Sequence, residues 1–246
     1  MTKKISLNLL IWRQELPSTK GRFVEYRLSE VSVNLSLLEV LDMLNEELIL
    51  NGDRPVHFDN DCREGICGSC GFLVNGQPHG PKDATTVCQL YLRHFPDNTT
   101  LVLEPWRARS FPIIQDLVVD RSSLDRIISS GGFCSVETGR VPDANSFKVS
   151  QSIAFSSFQT ATCIGCGACI ASCRNASASL FISAKAAHLG QLPQGKLSSA
   201  ERVAKLRSQM LAEGFGSCSN NLDCEAVCPK EISADWISWM NKEGLM

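Results

Sequence analysis

Ile5, Leu7, Leu9 and Ile11 put an apolar side chain on every second position, the period of a strand with one buried face. Pro17 to Gly21 reads as a turn, and Phe23-Val24-Glu25-Tyr26-Arg27-Leu28 alternates again, so the two segments are expected to pair as a hairpin. Ser36-Leu37-Leu38-Glu39 has the form of a capping box, which predicts a helix running to about Leu48. Phe72-Leu73-Val74 followed by Asn75-Gly76 reads as a strand entering a tight turn, and Thr99 to Leu103 supplies a further strand. Hairpin, helix, cysteine-bearing loop and returning strands describe a ferredoxin-like β-grasp arrangement.

The alternation is lost in the second half. Ser198-Ser199-Ala200-Glu201 reads as another capping box; Val203, Leu206, Met210 and Leu211 then keep a helical period up to Gly214 as a stop. Ser233 is expected to cap a last helix carrying Trp236, Ile237 and Met240. The change of pattern falls near Asp116 to Asp120, after the Pro105-to-Pro112 segment. The fold class expected is α+β, with a plant-type ferredoxin β-grasp domain over 1–118 and a helical, bacterial-ferredoxin-like domain over 119–246.

Composition narrows the function. Hydrophobic residues make up 43% and charged residues 20%, enough for a real core. A formal net charge of −2 lacks the basic excess of a nucleic-acid binder. No stretch approaches the roughly 20 apolar residues that span a bilayer. Met1 to Ser6 holds two lysines with no apolar signal region behind them. The expectation is a chain on the cytoplasmic side, at a membrane only if a partner holds it there. Cysteine is the outlier, at twelve residues in 246. Disulfides suit neither a reducing compartment nor a chain of this size, which leaves zinc or iron–sulfur clusters.

Spacing separates the two metals. Cys62, Cys67 and Cys70 form C-x4-C-x2-C, with Cys88 beyond, the plant-type pattern for a [2Fe–2S] cluster; structural zinc prefers two short pairs. Gly65, Gly68 and Gly71 let the backbone wrap closely and aim amides at sulfur. Cys163, Cys166, Cys169 and Cys173 form C-x2-C-x2-C-x3-C, the bacterial ferredoxin run, whose fourth cysteine serves the other cluster. The partner run has Cys218, Cys224 and Cys228, with Asn221 where a further thiol would stand. This gives Cys163, Cys166, Cys169 and Cys228 to a [4Fe–4S] cluster, and Cys173, Cys218 and Cys224 to a [3Fe–4S] cluster. The competing reading of the last site is a [4Fe–4S] cluster with Asn221 or water on its fourth iron, against which stands the poor ligand strength of a neutral amide. Only Cys134 is left over, and it reads as a small semi-buried residue.

A plant-type [2Fe–2S] domain followed by a helical [4Fe–4S]/[3Fe–4S] domain resembles the iron–sulfur subunit of the succinate:quinone oxidoreductases. The likeness rests on Cys62-Arg63-Glu64-Gly65-Ile66-Cys67-Gly68-Ser69-Cys70, on Phe111 to Asp120, and on the spacing of Cys218, Cys224 and Cys228. It implies a flavoprotein partner whose covalent FAD oxidises succinate, single electrons passed through the three clusters, and a quinone in a membrane anchor as acceptor. It also implies that this chain holds no succinate site, and a place on the cytoplasmic side of the plasma membrane. Three departures qualify the likeness. The proline and tryptophan common after the fourth cysteine are replaced by Arg174-Asn175-Ala176-Ser177-Ala178, and the histidine common after the next run's first cysteine is Ser219. These resemble the branch with a dihaem cytochrome b anchor, often menaquinone-linked. The stretch from Gln77 to Thr86 is also longer than in the commonest members.

Other residues are read more plainly. His79 is taken as a loop residue, since Rieske centres use two histidines and four cysteines are already at hand. His57, His94 and His188 read as surface or satisfied core residues. Pro105-Trp106-Arg107-Ala108-Arg109 suits a partner interface or a turn with a buried tryptophan. Trp236 and Trp239 suit either an anchor-facing surface or core packing. The rival functions are the iron–sulfur subunit of a thiol-dependent fumarate reductase or heterodisulfide-reductase-like enzyme, and a zinc-stabilised binding module.

Overall fold

The computed structural model describes residues 3–134 and 148–245. β1 (Lys4–Arg13) and β2 (Arg22–Ser32) form the expected antiparallel hairpin, with Leu9 opposite Tyr26 and Ile11 opposite Val24. Ile5, Leu7, Leu9 and Ile11 are buried and share one core with Leu37, Leu38, Leu41 and Leu44 of α1 (Leu37–Leu50). The capping box forms: Ser36 Oγ accepts from the Glu39 amide at 3.4 Å, and Glu39 Oε2 accepts from the Ser36 amide at 2.6 Å.

β3 (Leu73–Val74) and β4 (Gln77–Pro78) are joined by Asn75 and Gly76, both at positive φ (52° and 77°), as a type I′ turn requires. β5 (Thr99–Glu104) runs parallel to β1 and antiparallel to β3, so the sheet order is β2-β1-β5-β3-β4. A parallel pair needs a long crossover. Here the connection from β1 to β5 runs through β2, α1, the first cysteine loop, β3 and β4. A small separate hairpin follows, β6 (Ile113–Gln115) with β7 (Val118–Val119), and Asp116 sits in its turn.

From there the described chain is helical: α2 (Ser122–Gly131), α3 (Gln151–Ala161), α4 (Ala168–Ala171), α5 (Ser179–Gly190), α6 (Pro193–Lys196), α7 (Ser199–Ala212), α8 (Asp223–Ala226) and α9 (Asp235–Glu243). α5 is buried almost all round and packs against α3, α6, α7 and α9, the behaviour of a central core helix. α7 ends as expected at Gly214 (φ 83°): its amide donates to Leu211 O while the Phe215 amide donates to Met210 O, a Schellman motif.

Two expected caps differ. Ser198 does not cap α7, because α6 abuts it and leaves Ser198 at ψ 15°, outside the extended region a capping box needs. Glu201 pairs instead with Lys205 at 2.6 Å, and Ser198 Oγ accepts from Arg202 Nη2 at 2.8 Å. Ser233 lies one residue early for α9: its Oγ accepts from the Asp235 amide at 3.2 Å, while Glu225 of α8 takes the Ala234 amide at 2.7 Å.

Two cores result. Leu117 packs into the first, with the sheet and α1, whereas Val119 packs into the second, among the helices. Leu73, Trp106, Ala108 and Phe111, from the sheet-bearing half, also belong to the second core. Among the described residues no helix is long and apolar enough to cross a membrane.

Candidate metal centres

The first cysteine loop bends through positive φ at Arg63, Gly65 and Gly68 (55°, 71° and 73°). These bends turn backbone donors onto sulfur. The Glu64 amide donates to Cys62 Sγ at 3.3 Å and the Ser69 amide to Cys67 Sγ at 3.4 Å; the Thr86 hydroxyl lies 3.2 Å from Cys88 Sγ. The Glu64 and Ile66 amides hold the Cys62 thiol down to about 7. The interaction of the neighbouring Cys70 and Cys88 thiols brings Cys88 down to about 6 and, with burial, drives Cys70 up. Gln89 Nε2 donates to Arg63 O at 2.6 Å, tying the loop to the Cys88 segment. Cys70 and Cys88 are buried, Cys62 is half-buried and Cys67 exposed, so one side of this group opens outward. Ile66, at its tip, is 60% exposed.

Cys163, Cys166, Cys169 and Cys228 line one cavity, with Ile164, Ile170, Leu180, Phe181 and Ile232 as its apolar walls. Gly165 and Gly167 (φ 63° and 87°) fold its loop, and the Gly165 and Ala168 amides point at Cys163 and Cys166. Burial pushes the Cys166 thiol up to about 12; Cys163 and Cys169 rise for the same reason, and neighbouring thiols add to it. Cys163, Cys166 and Cys169 ionise together only against concentrated positive charge, the property of a thiolate-bound metal group.

A second cavity is lined by Cys173, Cys218 and Cys224, together with Asn221 and Ile237. The Asn220 amide donates to Cys218 Sγ at 3.4 Å, and burial followed by the Cys218 charge raises Cys224 to about 11. α4 lies between the two cavities, with Cys169 inside it and Cys173 just beyond its end. The donor chemistry of all three groups, soft sulfur with amides aimed at it, suits iron–sulfur clusters. Among the described residues no group of three or more His, Cys, Asp or Glu side chains is placed to hold a single metal ion.

The other candidates sort differently. His79 lies in a turn, but it is 1% exposed and neither ring nitrogen has a hydrogen-bond partner. Burial lowers its pKa to about 4, and the Arg121 charge adds to this, so the imidazole is neutral. His57 and His94 are exposed. His188 is half-buried with Nδ1 unpartnered rather than satisfied. Trp106 is buried, which removes it as an interface residue; its indole N–H donates to Cys166 O at 3.0 Å. Trp236 and Trp239 stack edge to face and pack partly against the helical core. Cys134 is half-buried beside Arg202. The bridging positions of Trp106 and Arg121 carry no local sequence signal, since each is set by a partner more than fifty residues away.

Comparison with known proteins agrees with this geometry. Residues 8–126 match the model of a 2Fe-2S iron-sulfur cluster binding domain, and residues 159–232 that of a 4Fe-4S dicluster domain. The fumarate reductase iron-sulfur subunit of Wolinella succinogenes is 26% identical, over 94% of this chain and 93% of the relative. The succinate dehydrogenase iron-sulfur subunit of Bacillus subtilis is 25% identical over 94% and 89%, and the fumarate reductase iron-sulfur subunit of Mycobacterium tuberculosis 28% over the same shares. The fold is similar to a chain of the Mycobacterium smegmatis Sdh1 complex in the apo form, with a TM-score of 0.75, 20% identity, and coverage of 98% and 96%. With both cluster-binding domains in order along its length, this chain belongs to the family of succinate dehydrogenase and fumarate reductase iron–sulfur subunits.

Proposed function

We propose that this chain is the electron-transfer subunit of a succinate:quinone oxidoreductase, relaying single electrons between the FAD of a flavoprotein partner and a membrane quinone, menaquinone in the reading we favour. The observation that carries this is the succession of three thiol groups through the fold, the first opening outward and each next to the following one. Cys62, Cys67, Cys70 and Cys88 would hold a [2Fe–2S] cluster; Cys163, Cys166, Cys169 and Cys228 a [4Fe–4S] cluster; Cys173, Cys218 and Cys224 a [3Fe–4S] cluster. When bound, these groups supply one-electron carriers whose potentials follow charge, hydrogen bonding and burial. The chain's own part is to hold sulfur in place and aim amides at it. Asn221 offers its cavity a neutral amide in place of a fourth thiol.

The division into a β-grasp domain over 1–118 and a bacterial-ferredoxin-like domain over 119–246 is supported by Leu117 and Val119 entering different cores. The flavoprotein is proposed to meet the outward face around Ile66 and Cys67. The opposite end is proposed to meet a cytochrome b anchor carrying haem b, which holds the chain peripherally on the cytoplasmic side of the membrane. The missing proline–tryptophan pair after Cys173, and Ser219 after Cys218, support that branch.

Low-temperature EPR on the complex, purified anaerobically with its partners, tests the reading. A sharp near-isotropic signal in the oxidised sample, replaced on reduction by a [2Fe–2S] signal, is expected. A silent oxidised sample with two interacting cubanes on reduction would sink the assignment at Asn221. A colourless, EPR-silent protein containing zinc would sink the redox function itself.

A further inference from the structure

The first two thiol groups meet through backbone. Gly68, between Cys67 and Cys70, stands so close to the second cysteine loop that a Cβ there would lie 2.3 Å from Ile164 O and 3.0 Å from the Cys166 amide nitrogen. Two side chains hold this contact. Trp106 donates its indole N–H to Cys166 O at 3.0 Å, while its six-membered ring covers Gly71, where a Cβ would lie 2.4 Å away. His79 packs edge-on against the same indole, ring centroids 5.4 Å apart. Arg121, just before α2, donates from Nη1 to Gly68 O and lies 3.9 Å from Asp59. One residue therefore ties the second loop to the underside of the first, and the other ties the tip of the first loop to the start of the helical half.

We propose that Trp106 and Arg121 are positioning residues that clamp the two cysteine loops together, and that electrons cross from the first thiol site to the second at the Gly68–Ile164 contact. The proposal rests on the electron-transfer reading above. The step moves one electron from the site on the Gly68 side to the site on the Ile164 side and makes or breaks no bond. The clamp works by geometry. A buried N–H···O bond and a ring filling the space over a glycine leave the loops no alternative spacing without loss of packing. Electron transfer falls off with separation and with loss of packed atoms between donor and acceptor, so a loosened contact slows this step.

The test uses the whole complex with Trp106→Phe, which keeps an aromatic ring but loses the donor, and separately Arg121→Met, which loses the bond to Gly68 O. Iron and sulfide content and microwave power saturation of the [2Fe–2S] EPR signal are measured after strong photochemical reduction. Wild type should show the [2Fe–2S] spin relaxed by its reduced neighbour. Each variant should keep its iron and sulfide, lose part of that relaxation, and turn over quinone more slowly. Unchanged saturation behaviour in both variants overturns the clamp. So does loss of iron and sulfide in both, which would make the two residues merely structural. Absence of the clusters from wild type would instead overturn the functional reading beneath it.

Discussion

Asp116 shows how much one residue can organise. It is fully buried in the turn between β6 and β7, at φ 45°. Its Oδ1 accepts from the Gln14 amide and Arg54 Nη2, each at 2.8 Å, and its Oδ2 from Arg54 Nη1 at 2.9 Å and the His57 amide at 3.0 Å. Arg13 Nε lies 3.3 Å away. The end of β1, the segment before the first cysteine loop and the small hairpin are thus fastened at one carboxylate. Burial pushes this carboxyl up, but Arg54, the two amides and the Arg13 charge outweigh it and hold it below its ordinary 3.8. A folded pKa below the unfolded one adds stability that is complete above the unfolded value and disappears as pH falls through the folded one. Asp116→Asn keeps the shape and tolerates the left-handed turn, so it isolates the charge. Urea denaturation should show a loss of about 3 kcal/mol at neutral pH, the low end for a broken buried pair, because Arg54 is about one-third exposed and regains water. Below about pH 4 the gap between variant and wild type should narrow. A comparison at each pH cancels acid losses common to both, including any loss of sulfide. A gap that does not change with pH would mean that the carboxylate's charge is not what holds the junction.

At the scale of elements, the two sequence patterns that resemble capping boxes separate. Ser36 and Glu39 bond reciprocally because the chain enters α1 from an extended residue, Ser36 at ψ 161°. Ser198 and Glu201 do not, because α6 has already turned the chain. Ser36→Ala should therefore cost about 1 kcal/mol in a denaturant titration. Glu201→Ala should leave the midpoint within error, and a comparable loss there would mean that a cap operates at α7 after all. The contrast also marks what sequence can convey. The hairpin, α1, the Asn75-Gly76 turn and the Gly214 stop were legible because each is fixed by periodicity or by the conformational demands of two to four adjacent residues. The cysteine runs stand out in the sequence because their spacing is itself a local pattern. Trp106 does not, since nothing beside it announces that Cys166 is its acceptor. His79 reads from the sequence only as a loop residue, because its burial against Trp106 is decided by tertiary packing alone.

For the whole molecule, the question is how independent its two halves are. The first core closes on itself: the sheet, α1 and Leu117 leave none of its members dependent on a helix beyond residue 118. The second core does not, since it borrows Trp106 and Phe111, each 1% exposed, from the chain before residue 118. Phe111 stacks edge to face on Phe215 at 5.8 Å, and Trp106 bonds to the second cysteine loop. A fragment of residues 1–118 should keep its sheet, with the circular dichroism of a β-rich fold, but uncover Phe111 and the N–H edge of Trp106, whose other edge still packs on Gly71 and His79. Uncovering Phe111 forfeits up to roughly 3 kcal/mol and the freed part of Trp106 less, and the patch they form is a site for self-association. Size-exclusion chromatography with light scattering should find oligomers, and tryptophan emission should be red-shifted relative to the whole chain. Trp106→Ser combined with Phe111→Ser in the fragment should restore a monomer, because it removes the patch without touching the first core. A monomeric unsubstituted fragment with blue-shifted emission would show that the rings find cover within the first half. The seam would then be a docking of two finished domains and not a core shared between them.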